Sequence, residues 1–176
     1  MSKRIASSRA STVSDAERDI RSRLSGYELD FTAMSAVSNI YRSGSAVRNH
    51  MERAVLSDYD LSWVAFTVLW VLWIWGEQET GHVAAETGVT KGTLTGVIKT
   101  LQGRKLLRRT PHLDDRRRVS ISLTKSGQRL IGEVFPQFNE HETLAVNALS
   151  HSEQLELARL LRLVLGGIST IDTPDN

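Results

Sequence analysis

The sequence predicts a mainly α-helical protein with one small β-wing, and three features of the chain carry that prediction. Val83, Ala84, Thr87, Gly88, Val89, Leu94 and Val97 fall at the spacings a helix-turn-helix needs for its small residue, its turn glycine and the positions that lock two helices together. Asp115-Arg116-Arg117-Arg118 runs directly into Val119-Ser120-Ile121-Ser122-Leu123, a knot of charge followed by a period-two strand, and Thr124 then offers a helix cap. Apolar residues at helical spacing occupy both flanks of this stretch. The combination is a winged helix-turn-helix set between N- and C-terminal helices.

Taken in order, residues 1–14 are mostly Ser, Arg and Ala with little to bury, and they read as a flexible arm. Asp15 to Leu24 suits a short helix that Ser25-Gly26 ends. From Asp30, the residues Met34, Val37, Tyr41, Gly44, Val47, Met51 and Val55 form a helical seam, interrupted at Gly44 and flanked by Arg42, Arg48 and Arg53. Asp60-Leu61-Ser62 opens a helix to Trp75 that is apolar on nearly every side and therefore belongs in the middle of the fold. Thr80 to Thr87 gives the next helix, Gly88-Val89 the turn, and Thr90 the cap of a recognition helix reaching about Arg104. Leu107 to His112 and Arg118 to Leu123 are the wing strands. The helix after Thr124 should bend at Pro136 if it continues to about Ala148. Ser150 and Glu153 make a capping box ahead of Leu155, Leu157, Leu160, Leu161, Val164 and Leu165, and this last helix is expected to stop at Gly166-Gly167. The resulting plan is an arm (1–14), N-terminal helices (15–60), a winged helix-turn-helix region (61–128), C-terminal helices (129–168) and a tail (169–176).

Charge is distributed unevenly. The chain of 176 residues carries a formal net charge of only +2, but nine basic residues between Lys91 and Arg118 face only Asp114 and Asp115, a local net of +7. The remainder is net acidic. A basic stretch of this kind is the footprint of a partner rich in phosphate. The chain contains no cysteine, which excludes disulfides, thiolate metal sites and thiol nucleophiles. The longest apolar run, Trp63 to Trp75, falls short of the roughly 20 residues a membrane-spanning helix requires. Residues 1–9 have no apolar segment of the kind a secretory signal needs, so a cytoplasmic location is expected.

On the recognition helix, Leu94, Val97, Ile98 and Leu101 form an inward stripe, which turns Lys91, Gly92, Thr95, Gly96 and Lys99 outward. Each outward glycine weakens a helix by up to about 1 kcal/mol relative to alanine, a placement that makes sense where backbone must approach a groove wall. Lys91 and Lys99 suit phosphate, while Thr93 and Thr95 suit thymine or adenine edges. No outward Arg, Asn or Gln precedes Gln102, so specificity leans on DNA shape and on the wing.

The order of helix-turn-helix, Asp115-Arg116-Arg117 wing, Leu123-Thr124-Lys125-Ser126-Gly127 helix start and closing Leu149-Ser150 with Glu153 resembles the MarR family of bacterial transcriptional regulators. The likeness covers most of residues 30–168. It implies a homodimer held by the N- and C-terminal helices, with one recognition helix from each subunit in the major groove of double-stranded DNA. It also implies that Arg117 reaches the minor groove and that Asp115 orients the arginines. Arg116 and Arg118 point to the opposite side of a strand from Arg117 and so serve other contacts. The expected function is a repressor on a pseudo-palindromic operator whose half-sites lie about 10 base pairs apart. One position departs from the family, which has glycine where this chain has Lys105. Either Lys105 takes a left-handed conformation at about 1 kcal/mol, or Gly103 ends the helix and shifts its exit.

The same resemblance implies release from DNA by a small aromatic or phenolic acid bound between the dimer helices and the winged domain. The candidate residues are Trp63, Phe66 and Trp70, with His50 and Arg53 as polar partners; the ring stripe, which continues to Trp73, reads first as core. His50, His82, His112, His141 and His151 are scattered, and no hydrolase elbow, P-loop or dinucleotide fingerprint occurs. No enzyme, cofactor or metal is expected. Two other readings are a ligand-independent regulator that antagonises silencing, and a winged-helix protein-interaction module without DNA binding. The local excess of positive charge argues against the second.

Overall fold

The computed structural model describes residues 12–111 and 119–172. The chain divides into two compact units, Met1–Ala46 and Val47–Asn176. In the first, α1 (Val13–Arg23) starts from a capping box in which the Thr12 hydroxyl accepts the Asp15 N–H at 3.1 Å and the Asp15 carboxylate accepts the Thr12 N–H at 3.0 Å. The bonds from Thr12 hold the Asp15 carboxyl below its usual range. The first helix therefore begins inside the segment expected to be a flexible arm; residues 1–11 of that arm lie outside the described residues. Asp30 accepts the N–H groups of Thr32 and Ala33 at the start of α2 (Phe31–Ala54), and the Asn39 amide donates to Glu17 of α1 at 2.7 Å. Gly44 does not interrupt α2. An isolated glycine weakens a helix by only about 1 kcal/mol, less than the rest of a 24-residue helix supplies.

The second unit is organised around α3 (Trp63–Trp75), whose Ala65, Phe66, Val68, Leu69, Val71 and Leu72 are all buried. Ser62 caps it by accepting the Ala65 N–H at 3.2 Å, and the Glu52 carboxylate accepts the Trp63 N–H at 2.9 Å. A 3-10 turn (Leu56–Tyr59) followed by left-handed Asp60 (φ 50°) delivers the chain to this cap. After Gly76 (φ 75°) come β1 (Gln78–Glu79), α4 (Thr80–Thr87), α5 (Lys91–Gly103), β2 (Leu107–Pro111), β3 (Val119–Leu123), α6 (Lys125–Ala145) and α7 (His151–Asp172). The three strands form an antiparallel sheet in the order β1-β3-β2, with Ile121 of β3 opposite both Gln78 and Arg109. Helices α4, α5 and α6 and strand β3 all pack on α3.

The helix-turn-helix lies where its spacing places it, with Gly88 left-handed at φ 64° between α4 and α5. Two elements were not foreseen, β1 and the 3-10 turn, because each is too short to show a period. α6 contains Pro136 and ends at Ala145 rather than about Ala148. α7 runs through Gly166 and Gly167 to Asp172, contrary to the expected stop. Glycine ends a helix by turning left-handed, and neither of these has a positive φ. Residues 169–172 thus continue the helix instead of beginning a tail. The Ser150–Glu153 box is present, and the bonds from Ser150 hold the Glu153 carboxyl below its usual range.

One junction ties α5, the wing and α6 together. The Thr124 hydroxyl donates to the Lys105 carbonyl at 2.7 Å and accepts the Gly127 N–H at 3.1 Å, while the Thr124 N–H donates to the Leu106 carbonyl at 3.0 Å. Gly127 is buried in the first turn of α6, and a Cβ there would land on the Leu106 carbonyl oxygen. Gly127→Ala is therefore expected to destabilise the protein by about 1–3 kcal/mol and lower its Tm by several degrees. An unchanged thermal melt would show that the two segments are not in contact.

Candidate nucleic-acid interface

Thr90 caps α5, its hydroxyl accepting the Thr93 N–H at 3.2 Å. Leu94, Ile98 and Leu101 are buried and Val97 is half-buried, so the inward stripe is the one the spacing indicates. Lys91, Gly92, Thr93, Thr95, Gly96 and Lys99 are all exposed. Among the described residues neither lysine is paired with a carboxylate. A Cβ built at Gly96 meets nothing within 4 Å, and one at Gly92 meets only the Thr90 hydroxyl at 3.9 Å. Packing among the described residues therefore does not require glycine at either position.

The threonine hydroxyls of this helix are engaged with their own segment. Thr95 donates to the Lys91 carbonyl at 2.8 Å, Thr100 donates to the Gly96 carbonyl at 3.1 Å, and the Thr90 and Thr93 hydroxyls lie 3.0 Å apart. Beside the helix a groove of about 350 Å³ is lined by Lys91, Thr95, Glu79 and Arg109. Arg109 reaches it because it shares a strand face with buried Leu107. Arg108 lies on the other face, where its Nε donates to the Ser122 hydroxyl at 2.9 Å. Sequence alone left these two arginines undistinguished; strand register separates them.

Arg104 is structural. Its two terminal nitrogens donate to the carbonyls of Asp60 and Tyr59 at 2.6 and 2.8 Å, tying the end of α5 to the turn that precedes α3. Lys105 is left-handed at φ 59°, and the Lys105 and Leu106 N–H groups donate to the Gln102 and Leu101 carbonyls at 2.8 and 2.9 Å. That is the paired closure of a Schellman motif, with Lys105 at the position glycine usually fills. The left-handed exit is thus made by Lys105 at a penalty of about 1 kcal/mol, and Gly103, the alternative exit, does not turn left-handed.

At the wing, the Pro111 and Val119 pair is the last rung described. Asp115, Arg116, Arg117 and Arg118 lie outside the described residues. Of the residues considered for a ligand, Trp63 and Phe66 are engaged in packing between α3 and α6, and Trp70 packs within α3. Phe66 is buried and stacks on Phe138 at 4.1 Å, Trp63 lies 5.9 Å from the same ring, and Trp70 meets Trp75 edge-on at 5.3 Å. Arg53 is exposed. His50 Nε2 and His141 Nδ1 are 2.9 Å apart, a pairing that no local signal announces because 91 positions separate them. Among the described residues no group of three or more His, Cys, Asp or Glu is placed to hold a metal ion, and no helix is long and apolar enough to cross a membrane.

The model of the MarR family matches residues 61–119. Over 142 residues the chain is 40% identical to YwaE, an HTH-type transcriptional regulator of Bacillus subtilis (strain 168), covering 81% of this chain and 83% of that one. The chain belongs to the MarR family. As a MarR regulator it also resembles the HTH-type transcriptional repressor NicR of Pseudomonas putida, at 28% identity over 61% of this chain and 68% of NicR. Among solved structures, BpsR of Bordetella bronchiseptica, whose DNA binding is regulated by 6-hydroxynicotinic acid, is 26% identical with a TM-score of 0.69, covering 73% of this chain and 97% of BpsR. Sco3205 of Streptomyces coelicolor, solved in complex with DNA, shares the fold with a TM-score of 0.73 at 19% identity, covering 80% of this chain and 90% of that one. The protein is a DNA-binding transcriptional regulator with the winged helix-turn-helix of its family.

Proposed function

We propose that this MarR regulator is a dimeric repressor of a pseudo-palindromic operator, contacted by Lys91, Gly92, Thr93, Thr95, Gly96 and Lys99 of α5 and by Asp115, Arg116, Arg117 and Arg118 of the wing. The observation that carries the reading is the pair of exposed glycines between two lysines that have no carboxylate partner among the described residues, with no described neighbour that requires glycine there. A helix that gives up stability at an exposed face without an internal reason is shaped for an external surface. Lys91 and Lys99 bind phosphate, the threonines meet base edges, and Arg117 enters the minor groove with Asp115 orienting it.

Two copies are inferred from the end helices. In α7, Leu155, Leu163, Leu165 and Ile171 are between 59% and 78% exposed, and in α2 Val37 and Tyr41 are 65% and 76% exposed. Apolar faces this open call for a covering partner, and a second copy carries the same faces to match. We further infer that the effector is a small aromatic or phenolic acid. Its support is the likeness to BpsR together with the Arg48 guanidinium, which lies 5.9 Å from the Trp63 ring.

Gly96→Ala tests the DNA-contacting face through two readouts of opposite sign. It is expected to stabilise the protein by up to about 1 kcal/mol in thermal melts while weakening operator binding; unchanged or improved affinity would remove α5 from close contact with DNA. A thermal-shift titration with 6-hydroxynicotinic acid and a panel of benzoic and phenolic acids tests the effector. A Tm that climbs with the concentration of at least one acid is expected, by about 2.7 kcal/mol of added stability at a hundredfold excess over Kd. No response to any of them would favour a ligand-independent regulator.

A further inference from the structure

We propose that α5 reads thymine through its C5-methyl group, received over the bare backbone at Gly92 and Gly96 and packed against the methyls of Thr93 and Thr95. The proposal rests on the DNA-contacting reading of α5 above and adds the sequence class that its surface selects.

In the major groove each base pair offers two acceptors and one donor, and the C5-methyl of thymine is the apolar mark that separates A·T from G·C. Reading guanine takes donors aimed at O6 and N7, most often from arginine. Between Lys91 and Lys99 this face has no side-chain nitrogen at all. The Thr95 proton is already committed to the Lys91 carbonyl at 2.8 Å, and the Thr93 hydroxyl is held by Thr90 at 3.0 Å. Backbone N–H groups in the helix interior are spent on the helix itself. The centre of α5 therefore offers methyl carbon, hydroxyl oxygen ready to accept, and open space.

Spacing supplies the shape. Gly92 and Gly96 are four residues apart and so adjoin on one face of the helix, with Thr95 three residues beyond Gly92 and Thr93 three before Gly96. A Cβ at Gly96 would meet nothing within 4 Å, so the gap is not filled by any of the described residues. Lys91 and Lys99 stand about 12 Å apart along the helix axis, one at each end of the gap. Long flexible ammonium arms at that separation suit the phosphates beside the contacted base pairs. A methyl group placed in such a gap loses contact with water and meets hydrocarbon, whereas a cytosine in its place leaves the gap empty.

The experiment uses the full-length regulator and fluorescence anisotropy. An operator is first selected from a random-sequence duplex pool, and each thymine of its half-sites is then replaced in turn by deoxyuridine, which removes the methyl and nothing else. The expected result is a loss of about fourfold in affinity for each methyl that faces α5, with partial recovery when a G·C pair introduced there carries 5-methylcytosine. Thr95→Ser should narrow the thymine-over-uracil ratio, and Thr95→Val, which keeps a methyl, should retain it. Equal affinity for thymine and deoxyuridine at every half-site position overturns the proposal while leaving DNA binding by α5 intact. Absence of binding to any duplex at low salt overturns the DNA-contacting reading itself.

Discussion

The enclosure of α3 is the constraint on which the rest of the structure depends. A helix apolar on nearly every side must be largely enclosed, and α4, α5, α6 and β3 all pack on it, while Trp73, Ile74 and Trp75 of its last turn stay exposed. At about 25 cal/mol per Å² of buried apolar surface, this packing is the main source of stability in the second unit. It also explains why the recognition helix tolerates two exposed glycines. Leu94, Ile98 and Leu101 anchor α5 from one side, so the other side is released from any structural duty.

Polar ties then set where that free face sits. Arg104 fastens the end of α5 to the turn before α3, and Thr124 fastens its exit to the start of α6. The basic residues of the region thus divide by task. Arg104 and Arg108 serve backbone and sheet, whereas Lys91 and Lys99 have no carboxylate partner among the described residues. A charge cluster in sequence is a surplus of candidates, and only hydrogen-bond geometry shows which members remain available to a phosphate.

Much of the fold was legible because its signals are local and periodic. The bounds of α4, the turn at Gly88, the cap at Thr90 and the inward stripe of α5 all follow from residue types a few positions apart. The misread positions share a different cause. Gly44, Gly166 and Gly167 look like breaks, yet glycine only permits a break, and these three remain helical. The two-residue strand β1 exists because β3 offers it an edge, which no property of Gln78 and Glu79 announces. Lys105 is the converse case: its left-handed turn is imposed from outside, by the bonds that close α5 and by Thr124. At the site, the exposed set on α5 was readable from the helical period, but the commitment of the Thr95 proton, the separation of Arg108 from Arg109 and the meeting of His50 with His141 required the folded backbone.

DNA binding by this protein requires that the cationic face of α5, freed from core packing, meet nucleic-acid phosphate. The most direct measurement is the salt dependence of the full-length protein's affinity for a random-sequence duplex, read by fluorescence anisotropy. Displacement of counterions by Lys91, Lys99 and the wing arginines of two copies predicts a plot of log affinity against log salt with a slope steeper than about −3. A slope near zero, or no binding at the lowest salt, would contradict it.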